Sequence, residues 1–139
     1  MAKRYTFEDS AVSHDLKYWG FHNGKALAWE GYSIENTVSR LMQGWGGGFE
    51  HRILCKDPPA KWWPINVRVQ QLPAELRAVL IARYCVPPKQ DEGGNITYHS
   101  RRELADGCGI SERTYIDRLR LAKERYKRLI FPICYAESA

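Results

Sequence analysis

The apolar positions in the last third of the chain follow a helical rhythm that one short polar turn interrupts. Leu104 and Ala105 give a short segment an apolar face, with Cys108 beyond them. Tyr115, Leu119, Ala122, Tyr126 and Leu129 then recur at spacings of four and three, one inward stripe along a longer helix. The intervening polar residues are those that helix ends require. Ser100 followed by Glu103 is a capping-box start, in which each side chain reaches the other's free backbone N–H. Gly109 stands where a tight turn needs a left-handed residue, and glycine lacks the Cβ that opposes it. Ile110 is placed to plug the angle between the helices, and Ser111 to cap the second one. The pattern over residues 98–130 is that of a helix-turn-helix.

Upstream the same periodicity is present with more interruption. Leu76, Val79, Leu80 and Tyr84 make a stripe on a helix that Pro73 opens, with Glu75 in its first turn and Pro87-Pro88 after its end. Pro64 suits the first residue of a preceding helix that carries Ile65, Val69 and Leu72. Residues 87–97 read as a loop whose most mobile point is Gly93-Gly94. Ser33 can cap a helix with Ile34, Val38, Leu41 and Met42 on one side, which must stop at Gly44 because Gly44-Trp45-Gly46-Gly47-Gly48 is a poor helix former. Glu8 to Trp19 predicts a short helix that Gly20 breaks. The aromatic residues Tyr5, Phe7, Tyr18, Trp19, Phe21, Trp29 and Tyr32 suit either a small core or a stacking and contact surface. Trp62-Trp63 likewise suits a core anchor or an exposed docking site. The tail after Phe131-Pro132 is apolar, then polar. The predicted fold class is mainly α.

Charge adds a partner to this picture. The chain has 139 residues and a net charge of +5. Nine of its 21 lysines and arginines lie between Arg101 and Arg128. A basic cluster of this kind is the footprint of a polyanion. The outward face of the longer helix carries Glu112, Arg113, Asp117, Arg120 and Glu124. Its first turn is the part of a recognition helix that reaches base edges in the major groove, which makes Arg113 the candidate for a bidentate contact to guanine. Arg101, Arg102, Arg118, Lys123, Arg125, Lys127 and Arg128 suit phosphates, which position a protein without reading sequence. No run of about 18 apolar residues offers a membrane span, and no signal peptide follows Ala2-Lys3-Arg4, so a cytoplasmic location is expected. Cys55, Cys85, Cys108 and Cys134 are scattered, and only His51 and Cys55 are close enough to share a helix face. Reduced thiols without a metal are expected. The phosphate-loop, serine-hydrolase, zinc-protease and dinucleotide signatures are all missing, so neither an enzyme nor a cofactor is expected.

The runs LPAELRAVLIARYC (72–85) and RRELADGCGISERTYIDRLRLAKERYKRL (101–129) closely resemble region 4 of bacterial sigma factors. That region has a leucine-proline helix ending in arginine-tyrosine, then a helix-turn-helix of the form GIS-x-x-T-hydrophobic. The resemblance covers about the last 60 residues and departs from the pattern in the longer 87–97 loop and at Tyr115, where a small aliphatic residue is usual. The upstream residues are too few for sigma region 2, so a complete sigma factor is not expected. With SIENTVSRLMQGWGGG (33–48) ahead of it, the arrangement is similar to phage antitermination protein Q. Members of that family bind DNA near a phage late promoter, load onto promoter-proximally paused RNA polymerase, and carry it past pauses and terminators. Some form a ring that narrows the RNA exit channel. Some hold zinc, a feature this chain's unpaired cysteines do not carry over.

The resemblance implies a division of labour. Arg113, Thr114, Asp117 and Arg120 would read the DNA element, with Arg101, Arg102, Arg118, Lys123 and Lys127 on its backbone. Trp45, Gly46, Gly47, Gly48, Trp62 and Trp63 would meet polymerase or form the exit-channel constriction. The expected domains are a polymerase-contacting part over 1–63, a DNA-binding part over 64–131 and a tail over 132–139. Duplex DNA and the bacterial polymerase elongation complex, with its sigma factor at the promoter-proximal pause, are the expected partners. Nascent RNA and a second copy on adjacent DNA are further ones. The alternatives are a conventional helix-turn-helix repressor or activator acting at initiation, an RNA-binding module and a small nuclease. No carboxylate pair with metal-ligand spacing supports the nuclease, and no long dimerisation helix supports a dimeric repressor.

Overall fold

A computed structural model of the chain describes residues 7–28, 34, 37–39, 41, 42, 59–86 and 88–131. The described residues are mainly helical: α1 (Phe7–Ala28), α2 (Trp62–Gln70), α3 (Ala74–Tyr84), α4 (Arg101–Gly107) and α5 (Glu112–Ile130). A hairpin of β1 (Lys89–Gln90) and β2 (Ile96–Thr97) lies between α3 and α4. The tail after Pro132 and the glycine cluster at 44–48 lie outside the described residues.

One apolar core joins these helices. Val12, Leu16 and Trp19 of α1 meet Trp62, Ile65 and Val69 of α2, Leu76, Val79 and Leu80 of α3, Leu104 and Ala105 of α4, and Tyr115, Ala122 and Tyr126 of α5. Val38 and Leu41, both helical, are buried in it, and Ile34 and Met42 pack against it. The stripe expected on that segment therefore faces inward. The division expected between residues 63 and 64 falls inside α2, and the core runs across it. Polar links reinforce the crossing. Trp19 Nε1 donates to Asn66 Oδ1 at 3.1 Å across it, and on its N-terminal side Trp62 Nε1 donates to the Trp19 carbonyl at 3.2 Å. The Tyr126 hydroxyl donates to Asp15 Oδ2 at 3.0 Å. The pieces on either side of the expected boundary are thus halves of one packed unit.

Gly20 does not break α1, which runs on to Ala28. It is buried, and a Cβ built on it would lie 2.1 Å from the Tyr84 carbonyl oxygen. Only glycine allows the end of α3 to approach α1 so closely, and the contact repays its poor helix propensity. Residues 87–97 also differ from the expected loop. Lys89 pairs with Thr97 and Gln90 with Ile96 in antiparallel register. Asp91 closes the turn by accepting from the Asn95 backbone N–H at 2.8 Å and the Asn95 side-chain amide at 3.1 Å, with Gly94 at φ 84°. Pro73 is the N-cap of α3, whereas Pro64 is the third residue of α2, still within the first turn where its missing N–H costs no helical bond.

The hairpin is tied to α4 by an ion pair between Lys89 and Glu103. Together with the Ser100 backbone bond of the capping box, Lys89 lowers the Glu103 pKa to about 2, from an ordinary value of 4.5. A depressed carboxylate stabilises the fold fully above its unfolded value and loses that contribution as pH falls toward the folded one. The hairpin-to-α4 tie should therefore persist through pH 4.5 and fail only near about 2. The Glu103 side-chain carbonyl resonance, followed by NMR, should titrate with that low midpoint. A midpoint near 4.5 would show that Lys89 does not hold it.

Candidate nucleic-acid interface

The α4–α5 pair is built by local rules that the sequence displays. The Ser100 hydroxyl accepts from the Glu103 N–H at 3.1 Å, and Glu103 Oε1 accepts from the Ser100 N–H at 3.2 Å. Gly109, at φ 71°, ends α4 in the left-handed conformation, and the Ile110 N–H returns to the Ala105 carbonyl at 3.1 Å. Ile110 packs against the core. Ser111 caps α5 by accepting from the Thr114 N–H at 3.2 Å, and its hydroxyl donates to Thr114 Oγ1 at 2.9 Å. These bonds fix the first turn of α5, where base contact is expected, and its end remains open to solvent.

Over the first three turns of α5, Arg113, Asp117 and Arg120 are exposed and Thr114 is half-buried. Arg101 and Arg102 are exposed at the start of α4, and Arg118 is half-buried. Arg118 lies near enough to Cys108 for its charge to act on the thiol. Among the described residues none of these five arginines is held in an ion pair, although Arg113 and Asp117 stand at the spacing that favours one. Their guanidinium forks remain available to an anion. Burial pushes the Cys108 thiol up to about 11, which keeps it a neutral, unreactive group. Tyr115 is buried in the core, its phenol pushed up to about 12 by burial, and its hydroxyl finds no hydrogen-bond partner among the described residues. No group of three or more potential metal ligands occurs among the described residues.

Several expected site residues fall elsewhere. Lys127 is not a phosphate contact, because it is only 8% exposed and its ammonium donates to Asp9 Oδ1 at 3.2 Å with Glu8 Oε2 at 3.7 Å. Two carboxylates from the first turn of α1 already neutralise it. Lys127→Ala should destabilise the fold by about 1–3 kcal/mol, since it leaves those carboxylates without their charged partner. Urea unfolding reads this loss, and the salt dependence of polyanion binding should not change. Trp62 is fully buried and cannot dock a partner, whereas its neighbour Trp63 is 40% exposed and Val67 lies exposed one turn further along α2. Leu129 falls outside the inward stripe and is exposed. α4 has seven residues against nineteen in α5, so it spans about 10 Å of a roughly 28 Å helix, and in the last turn it is Lys127 and Ile130, not Leu129, that face inward. Trp45, Gly46, Gly47 and Gly48 lie outside the described residues.

Two cations that the sequence reading did not single out, Lys17 and Arg83, stand with the expected phosphate contact Lys123 beside the interface. The Arg83 guanidinium carbon lies 5.5 Å from the Tyr84 ring centroid, and Lys123 Nζ lies 6.0 Å from the same centroid. Lys17 of α1 is near enough for its charge to act on Lys123. Lys17, Arg83 and Lys123 sit on three helices, so no single-helix pattern relates them. No helix among the described residues is long and apolar enough to cross a membrane. Compared with models of known families, with curated proteins and with solved structures, the chain matches none.

Proposed function

We propose that this chain is a phage late-gene transcription antitermination factor. In this reading α4 and α5 form a sigma-region-4-like helix-turn-helix that binds duplex DNA near the late promoter. The bound protein then loads onto paused RNA polymerase, which goes on to read through pauses and terminators. The observation that carries the DNA-binding part is the set of guanidiniums of Arg101, Arg102, Arg113, Arg118 and Arg120, unpaired among the described residues, around a helix start fixed by Gly109 and Ser111. The residues 101–129 and 33–48 support the narrower family reading through their resemblance to sigma region 4 and to antitermination protein Q. Arg113, Thr114, Asp117 and Arg120 read bases, and Arg101, Arg102 and Arg118 hold phosphates. Trp63, with Val67 beside it, offers an exposed apolar group suited to a polymerase contact.

The test is reconstituted transcription on a template with a late promoter and a downstream intrinsic terminator, the protein being added before polymerase leaves the promoter-proximal region. Full-length RNA should increase, and the increase should require the DNA element near the promoter. Trp63→Ala should abolish readthrough while duplex binding persists. Unchanged termination with an altered initiation rate would instead make the protein a conventional promoter regulator. Unchanged termination and initiation together would remove the transcriptional reading.

A further inference from the structure

We infer that Lys17, Arg83 and Lys123 form a second site, for a backbone phosphate of duplex DNA, on the flank of α5 that faces α1 and α3. The inference rests on the reading of α5 as a duplex-binding helix. The cations of Arg83 and Lys123 share the ring of Tyr84, at 5.5 and 6.0 Å from its centroid, and Lys17 acts on Lys123 from α1. Among the described residues none of the three is paired with a carboxylate. Lys127, one turn along α5, shows the opposite arrangement, because two carboxylates meet it. Gathering like charges around one ring costs folding free energy that no carboxylate among the described residues offsets. Burial, then Arg83 and then Lys17 depress the Lys123 pKa, the direction expected of an ammonium waiting for an anion.

A phosphodiester fits this arrangement. It is ionised at every physiological pH and offers several acceptor oxygens to a guanidinium fork and two ammonium groups. Ten residues separate Arg113 from Lys123, about 15 Å along the helix axis. The major groove is about 12 Å wide. A helix with its first turn in the groove therefore brings its fourth turn to the phosphates that border it.

The experiment compares the full chain with the triple variant Lys17→Gln, Arg83→Gln, Lys123→Gln on a short labelled duplex of random sequence, over a series of salt concentrations. The slope of log K against log salt should become shallower by about 0.9, the contribution of one neutralised phosphate. The urea midpoint should stay level or rise as the repulsion is lifted, which a merely structural role would not produce. If the triple variant loses its helical circular dichroism, Lys17→Gln and Arg83→Gln, both at exposed positions, are measured singly and should each make the slope shallower. An unchanged slope with wild-type binding that Arg102→Ala weakens overturns this inference and leaves the reading of α5 standing. No duplex binding by the wild type overturns both. A slope change confined to single-stranded RNA overturns the assignment to DNA.

Discussion

Trp62→Ala is expected to remove about 3–5 kcal/mol of stability, the usual cost of truncating a fully buried tryptophan. Typical total stabilities are about 5–15 kcal/mol, so this one change brings the chain close to unfolding at ordinary temperature. The indole is fully buried in the core that joins α1 to the later helices, and its Nε1 donates to the Trp19 carbonyl at 3.2 Å. Trp19 in turn is fixed to Asn66 at 3.1 Å. Truncation opens a cavity at the junction and frees both α1 and α2. Urea unfolding followed by circular dichroism should show the loss as a single transition, because α1 and α5 share one core. Trp63→Ala, one residue away and 40% exposed, should barely move the same midpoint. Equal effects of the two substitutions would contradict the phase of α2.

Gly20→Ala should be nearly as damaging, for the opposite reason. The added methyl would lie 2.1 Å from the Tyr84 oxygen and 2.5 Å from both its carbonyl carbon and its Cβ. Two of those atoms are backbone and cannot rotate away, so α1 must separate from the end of α3. The cost should reach or exceed the roughly 1–3 kcal/mol of ordinary overpacking. Alanine is intrinsically the better helix former by about 1 kcal/mol, so a stabilised variant would show that α1 and α3 do not meet here. Because Arg83 and Tyr84 stand at this contact, the substitution should also disturb the Lys17–Arg83–Lys123 cluster.

The α4–α5 unit was legible in the sequence because local bonds build it. Ser100, Glu103, Gly109, Ser111 and the spacing of Tyr115, Ala122 and Tyr126 act within a few residues of one another, and every one of these expectations is met. What the sequence concealed depends on distant partners. A glycine in a helical segment reads as a breaker until the backbone of Tyr84 is placed against it. Lys127 reads as a solvent-facing cation until Glu8 and Asp9, more than a hundred residues earlier, are brought to it. Trp62 and Trp63 are equivalent as a dipeptide, and only the phase of a helix with partners on one side separates them. The hairpin at 89–97 escaped notice because its strands are two residues long and carry no alternation. The Asp91–Asn95 turn and the Lys89–Glu103 pair hold it instead.

The central claim, that the exposed face of α5 reads duplex DNA, is tested most directly by selecting bound sequences from a random duplex pool and then measuring two variants on the selected and random duplexes. Arg113→Ala should weaken the selected duplex by about 1–3 kcal/mol more than the random one. Arg102→Ala should weaken both about equally and make the salt slope shallower by about 1. No enrichment from the pool, or a cognate preference that survives Arg113→Ala intact, would contradict the claim.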